Sequence, residues 1–318
     1  MDTGKVLKSI SEHTGIQAFV GNDVSLEVEN IPFHVPQLDR AIGGGIPRGR
    51  ITEVFGDFST GKTTLTQYII RSAQEMNLGC VYFNAENKYD PRWFEATGVD
   101  TSRVVVVQGN LGEPILDATV DLIKSDIGMV VIDSVASLIP ISEEKASIEQ
   151  DFIGLQARML TQGFRKITHA LSTSKTALIL INQMRSSIGA YMGGDKPPGG
   201  KAQFFFASLC LHIRRGEWME EVKKDVMVRK GFHIKVRTTK NTLAAPWQEA
   251  DVPFYFTGNI DLVASFVGLA MDFGIVEKTG SWLTFGDKKI QGVDNMNNFF
   301  RENKEEFKEL VGMVSGVE

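Results

Sequence analysis

The chain has 318 residues, 42% of them hydrophobic and 23% charged, with 34 Lys plus Arg against 39 Asp plus Glu and a formal charge of −5. This composition excludes a disordered or fibrous chain, and the length allows about two domains around a buried core. Taken whole, the acidity argues against a nucleic-acid partner, because phosphate binding asks for a basic surface.

Residues 1–30 carry a helical pattern around Lys5–His13, broken at Gly15, and then a strand-like piece, Ile16–Val20. Such an arm is too small to bury a core. From Ile51 onward apolar strands alternate with amphipathic helices. Strands are expected at Ile51–Phe55, Cys80–Asn84, Val104–Gln108, Met129–Asp133 and Ala177–Asn182, and helices near Lys62–Met76, Glu113–Lys124 and Phe152–Leu171. That alternation predicts a mainly parallel sheet with helices on both faces. Three further strands, Phe204–Ile213, Gly231–Thr239 and Pro253–Phe256, lack helices between them and predict an antiparallel extension. Beyond Gly258 come a helix near Asp261–Phe273, a glycine-containing turn region and a charged helix near Asn295–Leu310, a candidate small C-terminal domain. The two cysteines, Cys80 and Cys210, sit in apolar runs and read as core residues rather than a disulfide or zinc framework. No basic-then-apolar leader and no apolar run of about 18 residues is present, so a cytoplasmic protein with no membrane partner is expected.

The strongest local signal is Gly56-Asp57-Phe58-Ser59-Thr60-Gly61-Lys62-Thr63, a full match to G-x-x-x-x-G-K-[ST] between an expected strand and an expected helix. The glycines let backbone amides wrap phosphates, and the helix N-terminus adds its dipole. Lys62 supplies a point charge to the outer phosphates, while the Thr63 hydroxyl is placed to ligate Mg²⁺. Asp133 ends an apolar strand and is the expected partner that orients Mg²⁺ or its water. Glu86 ends another strand, where it is either a general base for water or a solvated loop glutamate. Asp90-Pro91-Arg92-Trp93 follows; Trp93 either stacks on a purine or packs a helix. Gln183 follows the strand Ala177–Asn182, a position from which it can touch a γ-phosphate. The glycine-rich segment Ser186–Lys201, with Lys196 and Lys201, is long for a loop in a compact domain and reads as a functional or disordered loop.

Together these motifs resemble the RecA recombinases, in the RecA and UvsX group, over nearly the whole chain. The resemblance rests on 56–64, on Asn84–Pro91 and Val130–Leu138, on Gly154–Leu160 and Ile181–Arg185, and on Ile213–Arg215 and Lys240–Trp247. It implies a RecA-type P-loop core at 31–257, an N-terminal subunit-docking arm at 1–30 and a small C-terminal α/β domain at 258–318. ATP and Mg²⁺ are the implied cofactors, held by 56–63 with Thr64. Single-stranded DNA and a homologous duplex are the implied partners, bound by a homo-oligomeric helical filament. By the same resemblance Glu86 activates water, Gln183 couples the γ-phosphate to DNA, and Asp90, Trp93 and Phe256 flank the adenine. Lys240 reaches a neighbouring subunit's ATP. Ile141–Ile153 matches the first DNA loop. Arg185–Lys201 matches the second, with Arg185, Ser187, Ile188, Gly189, Tyr191, Met192, Lys196, Gly199, Gly200 and Lys201 as DNA contacts. Arg158 and Arg165 fall in the filament-axis region. The chain departs from the family at Thr242 and Phe204, each standing where a lysine is expected. Its second loop is a residue short, and it ends at Glu318 without a long acidic tail.

Charge is unevenly distributed. Leu155–Lys240 holds 16 Lys plus Arg against 5 Asp plus Glu, a net of +11, and the remainder nets −16. Backbone-dominated DNA binding by that block is expected to be salt-sensitive and largely indifferent to sequence. Two other readings share the P-loop. A ring-forming helicase asks for an N-terminal domain that residues 1–30 do not supply. A non-hydrolysing mediator is at odds with Glu86, although Phe204 and Thr242 lend it weight.

Overall fold

The computed structural model describes residues 2–146, 154–184, 202–223 and 226–317. Helix α1 (Thr3–Thr14), capped by Asp2 and ended by left-handed Gly15, exposes nearly all its side chains. Two short paired strands, β1 (Asn30–Ile31) and β2 (Ile46–Pro47), bracket α2 (Pro36–Ile42). Then come β3 (Ile51–Gly56), α3 (Lys62–Glu75), β4 (Cys80–Asn84), α4 (Pro91–Ala96), β5 (Val104–Gln108) and α5 (Gly112–Lys124). The core continues through β6 (Met129–Asp133), α6 (Ile141–Glu144), α7 (Leu155–Leu171), β7 (Ala177–Gln183) and α8 (Ala202–Phe206). Two long strands, β8 (Leu209–Lys223) and β9 (Val226–Asn241), lead to β10 (Glu249–Tyr255). The chain closes with α9 (Leu262–Asp272), β11 (Glu277–Thr279), β12 (Trp282–Phe285), β13 (Lys288–Gln291), α10 (Val293–Glu302) and α11 (Lys304–Ser315).

The central sheet has eight strands in the order β10-β9-β8-β3-β7-β6-β4-β5. From β8 to β5 every pairing is parallel, and β9 and β10 add antiparallel strands at the other edge. Period-two alternation divides the apolar residues between two cores. Val54, Tyr82, Val131, Ile179, Leu211 and Ile234 pack on the α2 and α3 side. Ile51, Phe83, Val130, Leu178, Leu180 and Cys210 pack against α5 and α7. A third core, including Val267, Leu283, Phe300 and Leu310, belongs to the C-terminal segment. The Tyr68 hydroxyl ties that segment to α3, donating to the Gly258 carbonyl at 2.7 Å and accepting from the Ile260 amide at 2.8 Å.

The structure corrects three expectations. Ile16–Val20 forms no strand, since no described strand pairs with it and Ile16 is 67% exposed. Phe204–Phe206 belong to a helix and β8 begins only at Leu209; the Phe206 ring rests against Phe164 of α7, and Lys240 caps the helix carbonyls. The charged helix near Asn295–Leu310 is two helices that meet at Asn303, where the Asn303 side chain and amide both return to the Phe299 carbonyl. The turn region before them holds the three-stranded sheet β11-β12-β13.

Candidate functional site

The loop between β3 and α3 is built around two close approaches. A Cβ on Gly56 would lie 2.0 Å from the Ile213 carbonyl oxygen of β8. Gly61 has φ of 97°, and a Cβ there would lie 2.7 Å from Ile234 Cδ1 on β9. Ser59 also takes a left-handed φ of 56°, and the Thr60 hydroxyl donates to the Asp57 carbonyl at 3.0 Å. Phe58, 69% exposed, projects from the loop tip. The loop therefore turns its backbone toward the N-terminus of α3, the geometry of an anion cradle.

Lys62 is 8% exposed, and its ammonium donates to the Gly56 and Asp57 carbonyls at 3.0 and 2.6 Å. Burial lowers its pKa, opposed by the charges of Asp133 and Glu86. A buried cation held only by carbonyls beside a helix N-terminus suits a polyanion. Thr63 Oγ1 donates to Asp133 Oδ2 at 2.9 Å, and the Tyr82 hydroxyl donates to the same oxygen at 2.6 Å. Burial raises the Asp133 pKa, and these two donors oppose the shift. A hydroxyl and a carboxylate this close form a hard-oxygen donor pair that fits Mg²⁺ with phosphate and water completing the sphere. Among the described residues no cluster of three or more His, Cys, Asp or Glu offers a metal site of its own.

Glu86 lies beside Asp133, its backbone amide donating to the Asp133 carbonyl at 3.2 Å. Its Oε1 accepts from Ser134 Oγ at 2.5 Å and from Gln183 Nε2, while Oε2 pairs with Lys88 at 2.5 Å. Burial raises its pKa, but the Lys88, Ser134 and Gln183 donors outweigh burial and the net shift is downward. The strand ends of β4, β6 and β7 thus bring Glu86, Asp133 and Gln183 together at the C-terminal rim of the sheet, beside the glycine loop.

The remaining expected residues are placed differently. Asp90 caps α4 and binds Arg92, which lowers its pKa. Trp93 is half-buried, and its ring meets Phe254 edge-on at 6.2 Å. Phe254 contacts Phe232, and Phe232 contacts Phe256, which is 45% exposed. This aromatic run passes two residues from Ile234 on one face of β9, beside Gly61. Lys240 is turned onto its own subunit, donating to the Phe204 and Phe205 carbonyls at 2.8 and 3.1 Å with its ammonium 5.2 Å from the Phe204 ring. Arg158 and Arg165 are exposed on α7. Arg185, Ser187, Ile188, Gly189, Tyr191, Met192, Lys196, Gly199, Gly200 and Lys201 lie outside the described residues, as do 147–153 of the first loop.

Three residues in this site carry no role in the sequence reading. Ser134 follows a strand-ending aspartate and so faces the crevice, a signal available from position alone. Lys88 lies two residues past Glu86 in the same motif. Tyr82 is hidden inside an apolar strand, where nothing distinguishes it from a core tyrosine.

A parallel sheet, a glycine loop opening a helix that carries Thr63, and Asp133 and Glu86 at adjacent strand ends define an ATPase of the P-loop class. The model described as the RecA N-terminal domain matches residues 3–261, and that described as the RecA C-terminal domain matches 264–315. The chain is 37% identical over 314 residues to a protein named Protein RecA from Thermus aquaticus, covering 97% of this chain and 92% of that one. To the Protein RecA of Aquifex pyrophilus it is 38% identical over 301 residues, covering 92% and 85%. For Aquifex aeolicus the figures are 39% over 290 residues, covering 90% and 83%. The chain belongs to the RecA family, and is an ATP-binding, DNA-dependent ATPase of DNA recombination and repair. The helicase and mediator readings are not favoured. DNA binding and self-association come with the family. Among the described residues no helix is long and apolar enough to cross a membrane.

Proposed function

We propose that this chain forms helical filaments on single-stranded DNA in the cytoplasm and exchanges that strand with a homologous duplex, hydrolysing Mg²⁺-bound ATP between adjacent subunits. The observation that carries the reading is the hydrogen bond from Gln183 Nε2 to Glu86 Oε1. It joins a crevice carboxylate to the last residue of β7, one residue before the segment leading into the second loop. Lys62 and the loop amides of 56–64 bind the phosphates, and Thr63 with Asp133 hold the metal. When bound, Mg²⁺-ATP supplies a polarised terminal phosphoryl group for attack by water. Glu86, charged and acceptor-only at neutral pH, orients that water and takes its proton. Gln183 exchanges its bond to Glu86 for a phosphate contact and carries the change into Arg185–Lys201. Asp90, Trp93 and Phe256 hold the base, and Lys240 leaves α8 to reach the neighbouring subunit's nucleotide. Residues 1–30 dock on the next subunit, 31–257 form the ATPase core, and 258–318 form the small domain.

Lys62→Ala is expected to abolish both ATP hydrolysis and nucleotide-dependent binding of single-stranded DNA. The assay is phosphate release together with anisotropy of a labelled oligo(dT). Unaltered ATPase in this variant would overturn the site assignment.

A further inference from the structure

A second carboxylate lies below the crevice. Glu53, in the middle of β3, is 1% exposed, although its same-face neighbours Ile51, Leu178 and Leu180 are all apolar. Its Oε1 accepts from Asn182 Nδ2 at 3.1 Å, and Cys210 Sγ on β8 approaches Oε2 at 3.8 Å. Asn182 is itself fully buried, and its Oδ1 accepts the backbone amide of Gln183 at 3.0 Å. Glu53 is thus joined through Asn182 to the residue whose side chain holds Glu86. On its other side, Cys210 stands opposite Lys240 in the β8–β9 ladder, and the Lys240 charge acts on Glu53. Lys240 caps α8, the helix just beyond the second loop.

A buried carboxylate costs several kcal/mol of desolvation, which an apolar side chain at the same place avoids. The strand neighbours toward its N-terminal side, Ile51, Leu178 and Leu180, are apolar, so packing there does not call for it. Its contacts instead reach the strand that enters the second loop and, by charge, the lysine that secures the helix leaving it.

We propose that Glu53 is a positioning residue of the ATPase: through Asn182 it fixes the backbone of Gln183, and so links the crevice to the second loop. This rests on the reading that Gln183 couples nucleotide to DNA. Glu53 touches neither nucleotide nor DNA and acts only through these neighbours. Glu53→Gln keeps the shape but replaces the charged acceptor of Asn182 with a weaker neutral one, and Asn182→Ala breaks the link from the other side.

The test measures steady-state ATPase of the full chain with and without oligo(dT). In either variant the ratio of DNA-stimulated to DNA-free kcat is expected to fall about fivefold or more, while KM for ATP stays within about twofold. The double variant is expected to lose no more than the larger single loss, since both changes cut one path. An unchanged ratio in a folded single variant overturns the proposal, even if its melting temperature drops, as does a double variant whose losses multiply. If Glu53→Gln fails to fold, Asn182→Ala decides by the same criterion. Gln183→Ala is the control for the underlying reading. If it keeps the full ratio, the coupling role of Gln183 fails and this proposal with it. If it loses the ratio while Glu53→Gln keeps it, only the present proposal fails.

Discussion

A carboxylate that serves as a base must be charged and must still have a lone pair to offer. Glu86 meets the first condition because Lys88, Ser134 and Gln183 together outweigh the burial that would protonate it. The second depends on Oε1, which carries two of the three donors. Moving Gln183 away frees a lone pair on that oxygen, so under the proposed reading the side chain that holds this carboxylate also restrains it as a base. Glu86→Gln is therefore expected to lower DNA-stimulated kcat by about 100-fold or more while leaving ATP affinity nearly unchanged. Phosphate release paired with binding of a fluorescent ATP analogue checks this, and comparable turnover in the variant would remove Glu86 from the chemistry. At this scale the convergence of Lys62, Thr63, Asp133, Glu86 and Gln183 on one crevice was legible because each lies in a motif or at a strand end, where ligands of α/β sheets bind. Ser134, Lys88 and Tyr82 act through partners 48, 2 and 51 residues away. For Ser134 and Tyr82, only the folded sheet brings the pair together.

Elements formed by strong local periodicity came out where the sequence put them. The bounds of β4, β5 and β6 are those expected, and α3 and α5 differ by a residue at one end. What failed was set by tertiary contacts. The aromatic run at Phe204–Phe206 reads as a strand until Lys240 and Phe164 hold it as a helix, and strands as short as β11–β13 leave no periodic trace. Helix α2 shows the same dependence, because Val35 before it offers no side-chain cap. Asp39, within the helix, reaches back to accept from the Phe33 and Val35 amides at 2.6 and 3.1 Å. Burial pushes the Asp39 pKa up to about 6, against the pull of those amides. A carboxyl raised on folding favours the native state while protonated, and that contribution is lost as pH rises through the folded value. Between about pH 4 and pH 7 the wild type is thus expected to lose up to about 3 kcal/mol relative to Asp39→Asn, which cannot ionise. Parallel melting curves of the two proteins across that range test it. A stability gap that stays constant with pH would show that the two amides keep Asp39 ionised throughout.

Over the whole molecule the charge of −5 conceals a basic block, but the block is not all available to DNA. Lys166 pairs with Asp117, Lys175 with Glu29, Arg229 with Glu220, Lys235 with Asp251, and Arg214 and Arg237 share Glu249. Arg215 and Arg229 lie over the Trp218 ring, at 4.7 and 4.3 Å from its centroid. Part of the +11 counted along the sequence is therefore neutralised within the fold, a fact that residue counting cannot show because Asp117, Glu29, Asp251 and Glu249 all lie outside the block. Arg158 and Arg165 differ: both are exposed, seven residues apart on one face of α7, and neither has an ion pair among the described residues. A cation that neutralises a phosphate of single-stranded DNA releases condensed counterions and adds about 0.7 to the slope of log affinity against log salt. Replacing Arg158 or Arg165 with alanine is accordingly expected to weaken oligo(dT) binding and reduce that slope by about this amount each. Lys235→Ala, which removes a cation already neutralised by Asp251, is expected to leave the slope unchanged. Anisotropy titrations at several KCl concentrations, with a non-hydrolysable ATP analogue present, measure all three. If the arginine variants keep the wild-type slope while the Lys235 variant lowers it, the DNA path runs along β9 rather than α7.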